Sequence, residues 1–323
     1  FELVYGMPGE AQTVARLDAA VRIGYACKQI RGGKIGLIGY HAPGFIDMHA
    51  GPWQTMDQLG VQLRHISLHD FIEAAGGIEA EAVAADVEEC VELGLPLRDV
   101  ESADLDQASR LYLALKQCIH EETLDAAAMR CWPELPRIVA QWPYLGMCRL
   151  GEAGFPIAAE GDVDGALSLW AGALLDLGTA GYLSDWLEHD DETVTLWHAG
   201  NAPLAMQEPV GRERGPHVAR HFNNGKPCVV EGTLKAGMPV TVFRIWSCDN
   251  AYHLAVLEGE TIAPRRHLMG TNGLARIDGG CVRDRFETLL HAGMPHHVAV
   301  FPGRHGTILK HFARVMNMRM VMV

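Results

Sequence analysis

The chain changes character near residue 178, and that change constrains its architecture more than any other feature. Before it, apolar runs ending in turn residues alternate with helical stretches. KIGLIGY (34–40) runs into the turn-rich HAPGF, and a helical MDQLGVQLRHISL leads into a second strand near 61–67. FPIAAEGDVDGALSLWAGALLDLG reads as a strand end followed by a long apolar helix. Residues 11–30 read as a first helix and 70–130 as mostly helical. Strands separated by helices form a parallel sheet with crossover connections. After residue 178, short β-rich runs follow one another (TVTLWHAG, KPCVVEGTL, MPVTVFRIWS, YHLAVLEGET), and HHVAVFPG precedes a last helix. Gly, Pro and Asn punctuate them, which is the pattern of an antiparallel sheet or barrel. The expectation is an α/β chain: a Rossmann-like parallel-sheet domain over residues 1–177, then a mainly antiparallel, barrel-like domain over residues 178–323.

Composition removes several function classes. The 323 residues carry 27 basic and 40 acidic side chains, a net charge of −13 that repels a nucleic-acid backbone. No apolar run reaches the roughly 18 residues of a membrane-spanning helix. The opening FELVYGMPGEAQ has neither the basic region nor the apolar stretch of a signal peptide, and it lacks an initiator Met. Eight cysteines occur without a CxxC pair, which argues for reduced thiols in a cytoplasmic protein and against a zinc–thiolate site. GLIGYHAPG is not a dinucleotide fingerprint, no P-loop follows it, and no GxSxG elbow is present.

The chemistry-bearing candidates sit where apolar strands end. Glu160 and Asp162 follow PIAA, and ligands of α/β sheets bind outside the carboxyl ends of strands. A buried acid there is costly unless it is paired or bound to a cation. Asp162 also precedes a helix that it can cap, so it reads as a cap or as support behind a ligand. Asp185 ends the run GYLSDW, and His297 lies in HHVAV at a strand opening. Two carboxylates and an imidazole form a hard, mixed ligand set suited to Mn²⁺ or Mg²⁺, with Fe²⁺ or Co²⁺ as substitutes.

Several segments, in order along the chain, resemble the L-fucose isomerase family, a relative of L-arabinose isomerase. They are RCWPELP (130–136), AAEGDVDGAL (158–167), GYLSDW (181–186), AGMPVTVFRI (236–245), LAVLEGET (254–261) and HHVAVFPGRHG (296–306). The resemblance implies Glu160, Asp185 and His297 as metal ligands, with Glu160 and Asp185 also the acid/base pair. It implies an aldose–ketose isomerase that acts on a free monosaccharide through a cis-enediol, with the metal on sugar O1 and O2. It further implies a homo-oligomer, often a hexamer in the family, and an N-terminal domain ahead of the one that opens here. His198, His296 and Trp132 are the expected sugar contacts. His198, His296 and the loop YHAPGF depart from L-fucose isomerase, which leaves the sugar open. Two other readings stand beside this one: a non-catalytic sugar-binding protein, and another metal-dependent hydrolase or aldolase on the same ligands.

Overall fold

The computed structural model describes residues 3–178 and 181–323. Its first sheet contains β1 (Lys34–Ile38), β2 (Gln62–Ile66), β3 (Ala126–Met129) and β4 (Ile157–Ala158), all parallel, in the order β2-β1-β3-β4. The chain steps from β1 to β2 on one side and then crosses to β3 on the other. The strand order therefore reverses between β1 and β3, opening a crevice at their carboxyl ends.

The strand β3 corrects the helical reading of residues 70–130. The helix Ser102–Glu122 stops at Thr123, whose φ of 52° is left-handed, and AAAM becomes a central strand. Alanine has little intrinsic preference for strands. These four residues form one because they are fully buried between two helical layers, where small side chains let the helices come close. Ile35, Leu37, Ala126 and Ala128 share a core with the helix Val163–Leu174. Ile38, Ala127 and Met129 pack with Leu111 and Leu115 of the helix Ser102–Glu122.

The remaining strands are β5 (Tyr182–His189), β6 (Thr193–His198), β7 (His217–Ala219), β8 (Val229–Thr233), β9 (Pro239–Cys248), β10 (Ala251–Ile262), β11 (Thr271–Ile277), β12 (His297–Pro302) and the two-residue β13 (Arg319–Met320). Six of them run β10-β9-β12-β5-β6-β11, and β11 pairs back onto β10, so the antiparallel sheet closes into a barrel. Closure leaves no free edge among those strands. Tyr182, Leu196, Val242, Trp246, Leu257, Ala275 and Val300 belong to the barrel's own core. The observed architecture is the expected α/β one, with the barrel fully closed.

One helix joins the two parts. Val163–Leu174 contacts β1 and β3 on one side and β9 and β12 on the other, and Trp170 shares a core with Phe243 and Phe301. A Cβ added at Gly172 would lie 2.3 Å from the Phe301 ring, so the helix rests directly on β12. The parallel strands end at residue 158 and the barrel strands begin at residue 182. We keep a division between residues 177 and 178 as a proposal; residues 179–180 lie outside the described residues. All eight cysteines are free thiols. Among the described residues, no helix is long and apolar enough to cross a membrane.

Candidate active site

Glu160 stands just beyond β4, in a backbone conformation that few side chains adopt. Its φ is +63° and that of Gly161 is +72°, so the chain reverses within two residues. A left-handed non-glycine residue persists only where its surroundings over-determine it. Here the Ala42 N–H donates to the Glu160 carbonyl at 2.8 Å, and His41 Nδ1 donates to the Gly161 carbonyl at 2.7 Å. A Cβ on Gly161 would sit 2.4 Å from the Tyr40 carbonyl oxygen, so only glycine lets the β1 loop come so close. The Trp132 indole N–H donates to Glu160 Oε1 at 2.7 Å, leaving Oε2 for the far side.

The barrel supplies the other groups through its register. Asp185 is the direct cross-strand neighbour of His297 on β12 and of Trp197 on β6, with His198 one residue further on. Cross-strand neighbours share a face, so pairing alone puts Asp185 beside His297. This corrects the reading of Asp185 as the end of a strand. It lies inside Tyr182–His189, which continues as a barrel stave and slips register only between Trp186 and Glu188.

These groups meet at one point. His297 Nε2 lies 3.2 Å from Glu160 Oε2 and 3.1 Å from Asp185 Oδ1. Neither approach has hydrogen-bonding geometry, and both His297 Nε2 and Asp185 Oδ1 are buried without a hydrogen-bond partner. On its other side, His297 Nδ1 donates to Asp162 Oδ2 at 2.9 Å. A carboxylate only accepts, so the proton sits on Nδ1, and a neutral ring turns its Nε2 lone pair toward the two acids. His198 has the opposite arrangement. Its Nδ1 accepts the Ala199 N–H at 2.8 Å, so a neutral ring carries its proton on Nε2 and presents a donor. Burial lowers its pKa, partly countered by Asp185 and Glu160, which favours the neutral form. His296 Nε2 stays 4.0 Å from Asp185 Oδ1, and its ring packs edge-on against Phe45.

Asp162 combines both roles weighed for it. It caps Val163–Leu174 through the Gly165 N–H at 2.8 Å, and Arg244 grips it with two bonds of 2.6 Å. Burial pushes its carboxyl up, but Arg244 and His297 outweigh that and hold it far below the usual range. Arg244 is fully buried on β9 and was missed by sequence reading. The signal was there, since a charged residue inside the apolar run VTVFRIW must have a buried partner.

The charges can be counted. Arg244 neutralises Asp162. Glu160 and Asp185 remain as two negative charges, facing an imidazole lone pair. Burial raises both acids, but His297, whose own pKa Asp162, Asp185 and Glu160 raise against burial, overrides it and keeps each below its ordinary value, so a proton on His297 Nε2 or a cation in its place answers the same two charges. At this point two groupings of donor atoms lie within 4.8 Å of one another: Glu160 with His198 and His297, and Asp185 with His296 and His297; a third, exposed grouping of His69, Asp70 and Glu73 lies elsewhere. The tautomers favour His297, the residue common to both, as the nitrogen donor. Two carboxylates, one lone pair and the unpartnered atoms between them fit a divalent cation.

A cavity of about 820 Å³ opens beside this point. Glu160, Asp185, His198, His296 and Trp132 line it, so the structure brings all the sequence-selected residues together, with His297 and Asp162 just behind. Sequence reading missed its aromatic wall. Trp142 stacks with Tyr144 at 5.3 Å and with His221 at 3.9 Å, and Tyr144 meets His198 edge-on at 5.7 Å. These residues come from separate segments, and nothing local in the sequence marks them as neighbours.

No protein-family model matches the chain. It is similar to sulfoquinovose isomerase from Alkalicoccus urumqiensis, with 28% identity over 99% of this chain and 72% of that one. The sulfoquinovose isomerase of Priestia aryabhattai is 28% identical over 98% of this chain and 70% of its own length. That of a Clostridium species is 25% identical over 94% and 67%. These similarities, spread over nearly the whole chain, indicate an aldose–ketose isomerase, an intramolecular oxidoreductase.

Proposed function

We propose that the chain is a divalent-metal-dependent aldose–ketose isomerase acting on a free monosaccharide through a cis-enediol, with sulfoquinovose the first sugar to test. Glu160, Asp185 and His297 would hold the metal, with Mn²⁺ preferred over Mg²⁺, Co²⁺ or Fe²⁺. The observation that carries the reading is the convergence of two carboxylates on His297 Nε2, buried and without a hydrogen-bond partner, at 3.1 and 3.2 Å. When bound, the cation would polarise the sugar's carbonyl and adjacent hydroxyl, contributing several kcal/mol of charge stabilisation.

The chain's own groups account for the proton movements. Glu160 and Asp185 form the acid/base pair: one carboxylate removes the proton from C2 and returns it at C1 of the enediol, while the second group moves the hydroxyl proton from O2 to O1. Positioned proton transfer of this kind contributes roughly 10²–10⁴-fold. Trp132 donates to Glu160 Oε1 and so turns Oε2 toward His297 Nε2, where the cation would be held. His198 directs its Nε2–H to a sugar oxygen, while His296 and the Trp132 ring pack against the sugar. Asp162 fixes the His297 tautomer, as partners behind metal-ligating histidines do.

Incubating the protein with Mn²⁺ and single aldoses, followed by a ketose assay, tests the reaction. Glu160→Gln is expected to abolish turnover and sharply weaken Mn²⁺ binding. Near-normal activity in that variant would remove Glu160 from the mechanism.

A further inference from the structure

We infer that the cavity holds its sugar by an anionic oxyacid group, a sulfonate or phosphate on the terminal carbon, through Arg137 and Lys226. The inference rests on the isomerase reading and adds a specificity site to it. Among the residues lining the cavity, Arg137 and Lys226 are the only lysine or arginine. They come from separate segments: Arg137 from the short helix Glu134–Ile138, Lys226 from the loop that ends at β8.

Neither side chain is spent elsewhere. The chain carries 40 acids against 27 bases, yet neither Arg137 nor Lys226 has an ion-pair partner among the described residues. Arg130, seven residues before Arg137 in the chain, shows the contrast. Both Glu134 oxygens take it at 2.6 Å, and its remaining nitrogen donates to the His41 carbonyl. Asn224 accepts the Trp142 indole N–H at 2.9 Å and the Lys226 backbone N–H at 3.1 Å through its carbonyl oxygen, which leaves its amide N–H groups as further donors.

The cavity is polarised. Its acids, Glu160 and Asp185, are grouped at His297, and the wall from His198 through Tyr144 to Trp142 leads away from them to Asn224 and Lys226. A sugar whose C1 and C2 lie at the acids would extend along those rings, which suit its C–H faces. Its last carbon then points toward Asn224 and Lys226, in a cavity that Arg137 also lines. An uncharged sugar has no need of two unpaired cations; an oxyanion is matched by a guanidinium fork and an ammonium together.

The test uses the full chain with Mn²⁺ and three sugars that differ at the terminal carbon: an uncharged 6-deoxyhexose, its 6-sulfonate and the hexose 6-phosphate. Wild type is compared with the double variant Arg137→Met/Lys226→Met. We expect wild type to favour an anionic sugar in kcat/KM, with the preference residing in KM and eroded by added NaCl. The double variant should reduce the ratio of anionic to uncharged kcat/KM by about 30-fold, as for loss of charge-assisted contacts. The sulfonate and phosphate arms show which oxyanion the site takes. Equal kcat/KM for charged and uncharged sugars in wild type, or parallel losses for both in the variant, overturns the inference. If wild type makes ketose from none of the sugars, the isomerase reading fails. Calorimetric binding of the sulfonate then decides the subsite by itself: weakening confined to the anionic sugar in the variant supports it, and equal binding ends it.

Discussion

At the residue scale, two buried aspartates two positions apart behave in opposite ways. Asp162 is held ionised by Arg244 at 2.6 Å, whereas Asp164 is pushed up to about 6, chiefly by burial, with Asp162 adding to it and Arg244 opposing. Asp164 thus binds its proton more tightly folded than unfolded. Its contribution to stability is complete below the ordinary carboxylate range and is lost as pH rises through about 6. Urea unfolding between pH 4 and about 7 should therefore show Asp164→Asn gaining on wild type as pH rises. Asp162 acts with the opposite sign in a more acidic window, so the two separate. Removing one partner of a buried ion pair costs about 3–5 kcal/mol. Asp162→Asn should lose on that order in unfolding free energy. It should also lose about 10–100-fold in Mn²⁺ affinity, measured by calorimetry, because the His297 tautomer is no longer fixed. Glu160 was legible as a candidate because an acid after an apolar strand needs a reason. Arg244 was equally legible and was overlooked.

Among the elements, the helix Val163–Leu174 positions the site. It begins at Asp162, and its buried face lies on both the parallel sheet and the barrel. A Cβ on Gly165 would come 2.3 Å from Asp162 Oδ2 and 2.9 Å from Arg244, and one on Gly172 would strike the Phe301 ring. Both alanine variants should destabilise the protein by about 1–3 kcal/mol, the usual cost of overpacking. Only Gly165→Ala should also weaken Mn²⁺ binding, because it pushes on the pair behind His297. Denaturant midpoints and metal titrations of the two variants check this. The elements most easily read were those with strong local patterns, such as this helix. β3 escaped because four buried alanines carry no period, and the strand is made by the layers around it.

Across the whole molecule, the candidate metal joins parts of the chain that fold into different sheets. Glu160 follows the parallel sheet, while Asp185 and His297 belong to the barrel. A cation bound there stabilises the folded state by mass action, about 2.7 kcal/mol at a hundredfold excess over its Kd. Mn²⁺ should raise the unfolding temperature of wild type, chelator should reverse it, and His297→Ala should abolish the shift in a thermal scan. The sequence by itself determined the class of architecture, because the spacing of strands, helices and turns is a local property of the chain. It also marked Glu160, His198 and His297 at or just beyond strand ends, as local context does, whereas Asp185 lies inside its strand. Only the tertiary structure decided that the barrel closes, that Asp185 and His297 are cross-strand neighbours, and that Arg244 reaches Asp162 from 82 residues away. Register and the packing of one helix between two sheets are long-range outcomes, set by which faces bury together rather than by any single segment.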